Sequence, residues 1–135
     1  MKRHATANWK GSGKEGKGIL STQSIALSNA KYSYGSRFEE GVGTNPEELV
    51  AAAHAGCFSM KLSFVLGNFG VVPEDITTKC TVTLGDGIIT SSHLDVKVKA
   101  AIDEQKFQEC INDAKQNCPI SKSLNTTITA SAELV

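Results

Sequence analysis

Between Asn45 and Gly67 the chain reads NPEELVAAAHAGCFSMKLSFVLG, and this segment limits the possible folds more than any other. Asn45 suits a helix N-cap, Pro46 the first helical position, and Glu47 and Glu48 the first turn, where unpaired N–H groups and the helix dipole favour carboxylates. Glu48, three residues after Asn45, is also placed to close a capping box. The spacing predicts a helix from Pro46 to about Leu66, with Gly67 as its stop. Beyond the first turn its residues are apolar or small on every side, among them Leu49, Val50, Ala51, Ala55, Cys57, Phe58, Met60, Leu62, Phe64 and Val65. A helix without a polar face is expected to be covered on all sides. His54 and Lys61 inside the run, and the glutamates at its start, argue against a membrane span. In a chain of 135 residues such a helix must be wrapped by sheet or by a second subunit.

The rest of the sequence supplies the sheet. From Lys2 to Asn29 it is short-patterned and rich in turns, with Ala5, Ala7 and Trp9 alternating against His4, Thr6 and Asn8, which predicts strands in hairpins. The turn GSGKEGKG, Gly11 to Gly18, nearly matches a phosphate-binding loop. Gly18 stands where a magnesium-binding hydroxyl is needed, Glu15 would place a carboxylate among phosphates, and strand-like residues follow, so it is read as a hairpin turn. Lys31 to Thr44, with three glycines and no sustained period, reads as a loop that carries Arg37. Two period-two segments follow: Ile76, Thr78, Cys80, Val82 and Leu84 share one face, then Leu94, Val96, Val98, Ala100 and Ile102, with a turn at Gly85, Asp86 and Gly87. Asp103 caps a helix with an apolar stripe at Phe107, Cys110, Ile111 and Ala114, and Pro119 breaks or restarts it. Ile128, Ala130, Ala132 and Leu134 alternate in a last strand.

Charge and composition narrow the function. Lys plus Arg number 14 and Asp plus Glu 14, so the net charge is zero, which argues against non-specific nucleic-acid binding. With 40% hydrophobic and 21% charged residues and no linker or repeat, one domain over residues 1–135 is expected. The first residues, MKRHATANWKGSGK, do not form a secretory signal, so a cytosolic location with reduced thiols is expected. There is no CxxC pair and no zinc spacing among the four cysteines.

Each cysteine is then either a small core hydrophobe or a reactive thiol. Cys80 and Cys110 lie on apolar faces and read as core. Cys118 prolongs the stripe of Phe107, yet before Pro119 it also suits an N-cap, where a thiolate is stabilised; the pattern leaves both readings open. Cys57, within the apolar helix, would be inert by burial alone and becomes reactive only if a cation reaches it. Arg37 is the one arginine besides Arg3, and Glu47 or Glu48 is its nearest carboxylate. Glu47 and Cys57 fall on broadly the same side of the helix, about 15 Å apart along its axis, so Glu47 could hold an arginine spanning part of that gap. His54 reads as a hydrogen-bonded core residue.

Two segments together carry a family likeness. SRFEEGVGTNPEELVAAAHAGCFSM, Ser36 to Met60, and NCPISKSL, Asn117 to Leu124, resemble the OsmC/Ohr family of osmotically inducible and organic hydroperoxide resistance proteins. The likeness runs over essentially the whole chain and is greatest to the OsmC branch, because the arginine lies in SRFEEG and the second cysteine precedes Pro, Ile and Ser. The resemblance implies an α+β fold, an intertwined homodimer of antiparallel or mixed sheets around long buried central helices, with two active sites at the subunit interface. It implies a thiol peroxidase needing neither metal nor haem. Cys57 corresponds to the peroxidatic cysteine and Cys118 to the resolving one, Arg37 to the residue that lowers the thiolate pKa and polarises the peroxide, and Glu47 to its carboxylate partner. The implied substrates are organic hydroperoxides, with hydrogen peroxide weaker, and the implied reductant is a dithiol on a lipoylated protein. Phe58, Met60 and Phe64 are candidates for an apolar lining. The alternative reading is a redox-sensing or small-ligand-binding module that uses the same cysteines without turnover.

Overall fold

A computed structural model describes residues 1–135 and divides them into two compact units, 1–49 and 50–135. In the first unit, strands β1 (Ala5–Lys10), β2 (Lys17–Thr22) and β3 (Ala30–Ser33) form an antiparallel sheet in that order. Trp9, Gly18 and Tyr32 are in register across it, and the Trp9 and Tyr32 rings close over the glycine with centroids 5.3 Å apart. A Cβ at Gly18 would lie 2.7 Å from Trp9 Cε3, so only glycine fits. Trp9 Nε1 also donates to the carbonyls of Gly11 and Ser12, both at 3.2 Å, tying down the glycine-rich turn. Lys17 and Gly18 open a strand there, not a helix, which agrees with the hairpin reading.

The Lys31–Thr44 segment is more ordered than its glycines suggest: it contains the end of β3 and a short helix, α1 (Tyr34–Phe38). The cause is a reciprocal cap. Ser33 Oγ accepts from the Ser36 N–H at 3.1 Å, and Ser36 Oγ accepts from the Ser33 N–H at 2.8 Å. A helix of five residues is too short to register as a period in the sequence.

The long helix α2 (Pro46–Gly67) starts and stops where its caps predict. Asn45 Oδ1 accepts from the Glu48 N–H at 2.8 Å. The Glu48 carboxylate does not close the capping box; it accepts from Thr44 Oγ1 at 2.6 Å. In the second unit, β4 (Asp75–Gly85) and β5 (Ile88–Lys99) are antiparallel, joined by a turn in which Asp86 and Gly87 have φ of 52° and 78°. Positive φ at both positions is the hairpin geometry that Asp-Gly favours. The chain then runs through α3 (Glu104–Asn117) and α4 (Pro119–Ser123) and returns as β6 (Thr127–Leu134), parallel to β5. The sheet is therefore mixed, and the fold is α+β with two three-stranded sheets.

The second unit's core joins Phe58, Leu62, Val65 and Leu66 of α2 to Leu94, Val96 and Val98 of β5 and to Phe107, Cys110, Ile111 and Ala114 of α3. Each large side chain fully buried there contributes about 1.5–3 kcal/mol. The expectation that α2 is covered all round does not hold within one chain. Ala53, Gly56, Met60 and Phe64 are exposed, the last two at 66% and 69%.

Candidate active site

The second unit brings Cys57 and Cys118 together although they are 61 positions apart. Cys57 sits on α2, one turn after His54, and is half-buried. Cys118 is fully buried at the junction where α3 ends and α4 begins, serving as C-cap of one and N-cap of the other. The residue continues the buried α3 stripe, as one reading had it, and it also stands at the N-cap position before Pro119. Its side chain makes no capping hydrogen bond. The Cys57 thiol is raised above its ordinary pKa, first by burial and then by the hydrogen bond and charge of Cys118, while the backbone N–H of Ile120 pulls the other way. All four cysteines are free thiols in this structure. Cys80 and Cys110 are also raised by burial, Cys80 despite a hydrogen bond from Ser92 and Cys110 with added repulsion from Asp113 and Glu109, as expected of core thiols.

The first unit holds the other predicted pair. Arg37, near the end of α1, donates from Nε and Nη2 to Glu47 Oε1 at 2.8 and 2.6 Å, with the arginine side chain 40% exposed and the carboxylate 15%. Burial works against the Glu47 carboxylate, but the Arg37 hydrogen bond, a hydrogen bond to backbone and the guanidinium charge outweigh it and hold its pKa below the usual value. Of the two glutamates offered by the sequence, Glu47 is the partner and Glu48 the helix-start residue. The guanidinium also lies 4.9 Å from the Phe38 ring centroid, a cation–π contact. It borders a cleft of about 270 Å³ lined by Trp9, Tyr32, Tyr34 and Phe38.

Of the apolar lining candidates, Phe58 is fully buried in the core, while Met60 and Phe64 are exposed. The aromatic lining near a predicted site residue is the Trp9, Tyr32, Tyr34 and Phe38 group, of which the strand alternation marked only Trp9. A second feature was only half visible. His54 is the hydrogen-bonded core residue expected, but its partners come from distant segments: Nδ1 lies 2.7 Å from Ser92 Oγ of β5 and Nε2 lies 2.8 Å from Ser121 Oγ of α4. Ser92 in turn lies 3.2 Å from Cys80 Sγ. The available signal was Ser92 itself, a hydroxyl at an inward position of a strand whose next inward residues are Leu94, Val96 and Val98.

Residues 39–133 match the model of a family described as OsmC-like protein. The chain is 42% identical over 133 residues to the peroxiredoxin OsmC of Escherichia coli K12, covering 95% of this chain and 93% of that one. It is 31% identical over 115 residues to the organic hydroperoxide resistance protein OhrB of Bacillus subtilis, covering 82% and 79%. Among solved structures, that of B. subtilis OhrB superposes with a TM-score of 0.75 at 26% identity, over 96% of this chain and 98% of that one. An OsmC-like protein from Mycoplasma pneumoniae superposes with a TM-score of 0.77 over 100% and 98%, and at 13% identity it speaks for the fold alone.

Proposed function

The chain belongs to the OsmC-like protein family, and from that premise we propose that it is a cysteine-based peroxidase that reduces organic hydroperoxides to alcohols. The observation that carries this reading is the contact of Cys57 with Cys118 across 61 positions of sequence, beside the Ile120 N–H. The Cys57 thiol gives up its proton and the thiolate attacks the terminal peroxide oxygen; the O–O bond breaks, the alkoxide takes up that proton and leaves as the alcohol, and Cys57 becomes a sulfenic acid. The Cys118 thiol then condenses with it, forming the disulfide and releasing water. Because over-oxidation beyond the sulfenic state is essentially irreversible, a resolving thiol already in contact protects the site. A dithiol, which we assign to a lipoylated protein, reopens the disulfide by exchange.

Burial and Cys118 both oppose ionisation of Cys57, so the reaction needs a cation. We assign that role to Arg37, oriented by Glu47, in a homodimer. The exposed apolar stripe Ala53, Gly56, Met60 and Phe64 on α2 supports a second copy as the missing cover. The aromatic cleft beside Arg37 supports organic hydroperoxides over hydrogen peroxide, since it offers an apolar tail a place to be buried. A cytosolic location, where thiols are kept reduced, suits this cycle.

Intact mass before and after one equivalent of cumene hydroperoxide tests the reading. The expected result is a loss of two hydrogens per chain, abolished by Cys57→Ser and by Cys118→Ser. Full turnover in Cys57→Ser overturns it. Consumption of excess hydroperoxide with dihydrolipoamide separates an enzyme from a sensor: one stoichiometric burst followed by silence supports redox sensing without turnover.

A further inference from the structure

We propose that His54 is a positioning residue for the resolving step, acting through α4 to hold Cys118 against Cys57. The proposal rests on the peroxidase reading above. His54 is fully buried on α2, one turn before Cys57. Its Nε2 bonds Ser121 of α4, the residue after Ile120, whose N–H meets the Cys57 sulfur, and three residues after Cys118. The five-residue α4 is therefore fastened to α2 at two neighbouring points, one by the imidazole and one at the cysteines. At the other ring nitrogen Ser92 of β5 fixes the imidazole plane, and Ser92 is itself braced by Cys80.

The imidazole adds a directional polar tie to the apolar packing of Cys118 and Ile120 and to the Cys118 N–H bond to the Ala114 carbonyl. A helix this short is not stable alone, and the Cys118 side chain contributes no capping hydrogen bond. Burial keeps the imidazole neutral, so one nitrogen donates and the other accepts, and the two serine hydroxyls can satisfy either tautomer. Losing the Ser121 contact would leave a buried ring nitrogen unpaired, which biases the ensemble towards the fastened state.

The consequence lies in the second chemical step. In the condensation, the Cys118 sulfur attacks the Cys57 sulfenic sulfur; the S–O bond breaks, the S–S bond forms, and the hydroxyl leaves as water with the Cys118 thiol proton. No outside oxidant or reductant is needed once the sulfenic acid exists. Its rate depends on how often the two sulfurs are in line, so loosening α4 slows it far more than attack on the peroxide, to which α4 contributes only the Ile120 N–H at the Cys57 sulfur.

Rapid-quench oxidation with cumene hydroperoxide, read by thiol alkylation and intact mass, separates the two steps. For Ser121→Ala we expect sulfenic acid formation slowed by no more than about threefold, disulfide formation slower by about tenfold to a hundredfold, and accumulation of Cys57 sulfinic acid at excess peroxide. Ser121→Thr, which keeps the hydroxyl, and His54→Gln, whose amide reaches the place of Nε2, should each retain disulfide formation near the wild-type rate. Disulfide formation at the wild-type rate in Ser121→Ala overturns the proposal. So does an equal slowing of both steps that Ser121→Thr and His54→Gln share, which would mark a general structural role. If the wild-type protein loses no thiols to the hydroperoxide, the peroxidase reading fails first and this proposal with it.

Discussion

Arg37 presents two donors to a single oxygen, Glu47 Oε1, and leaves Glu47 Oε2 buried without a partner. A fork of this kind fixes the guanidinium plane as well as its charge, which lysine cannot reproduce. Under the proposed mechanism Arg37→Lys should therefore lower kcat/KM for cumene hydroperoxide by about a hundredfold, with an unchanged circular dichroism spectrum; activity near wild type would remove Arg37 from the site. His54 supports a different prediction. Burial lowers its pKa beneath the ordinary 6.5, so the unfolded chain takes up a proton before the native one does as pH falls. Its stabilising effect is complete above about pH 6.5 and is lost progressively below it, at up to about 1.4 kcal/mol per pH unit until the native group also titrates. The urea midpoint should thus drop between pH 7.5 and pH 5 in the wild-type protein, and drop less in His54→Gln. Equal slopes would mean that His54 takes up its proton as readily in the folded state as in the unfolded chain. That His54 is a satisfied core residue could be read from its apolar neighbours, whereas its partners could not, because Ser92 and Ser121 are 38 and 67 positions away.

Among the elements, α2 was legible because its boundaries rest on local chemistry, Asn45 and Pro46 at one end and Gly67 at the other. The hairpin of β4 and β5 was legible for the same reason, through period-two burial and an Asp-Gly turn. What the pattern could not reveal was α1, whose cap consists of two serines in an otherwise glycine-rich stretch, or the parallel pairing of β6 with β5, which depends on a crossover and not on β6 itself. The cysteine couple belongs with these tertiary facts. Residue patterns left Cys118 undecided between stripe and cap, and only folding shows that it is buried at the junction of α3 and α4 and that it meets Cys57. In the first sheet the constraint is steric: Gly18 lies in register between Trp9 and Tyr32. A methyl there would approach Tyr32 Cζ to 2.6 Å and Trp9 Cε3 to 2.7 Å, so the rings must shift and give up their contact. Gly18→Ala should cost about 1–3 kcal/mol in chemical unfolding and blue- or red-shift the Trp9 emission. A variant as stable as wild type, with unshifted emission, would show that the rings yield.

For the molecule as a whole, the open question is what covers α2. One side of the helix is fixed in the core by Phe58, Leu62, Val65 and Leu66, yet the opposite stripe of Ala53, Gly56, Met60 and Phe64 faces out and carries no charge. A Cβ at Gly56 would meet nothing within 4 Å, so a neighbouring surface has room to approach the backbone there. A stripe of small residues at one end and large ones at the other is self-complementary when a second copy is turned about a two-fold axis, with Met60 and Phe64 of each meeting the small residues of its mate. In a lone chain, lysine at two positions already 66% and 69% exposed should change stability by no more than about 0.5 kcal/mol each. In the proposed homodimer the same substitutions put four ammonium groups into a desolvated interface, which no pairing there can offset. Met60→Lys with Phe64→Lys should therefore sediment as a monomer where the wild-type protein sediments as a dimer, keep its helical circular dichroism, and lose hydroperoxide turnover because the proposed sites lie at the interface. A wild-type monomer with full turnover would mean that each chain completes its own site, and a double variant that still dimerises would mean that this face of α2 is free surface.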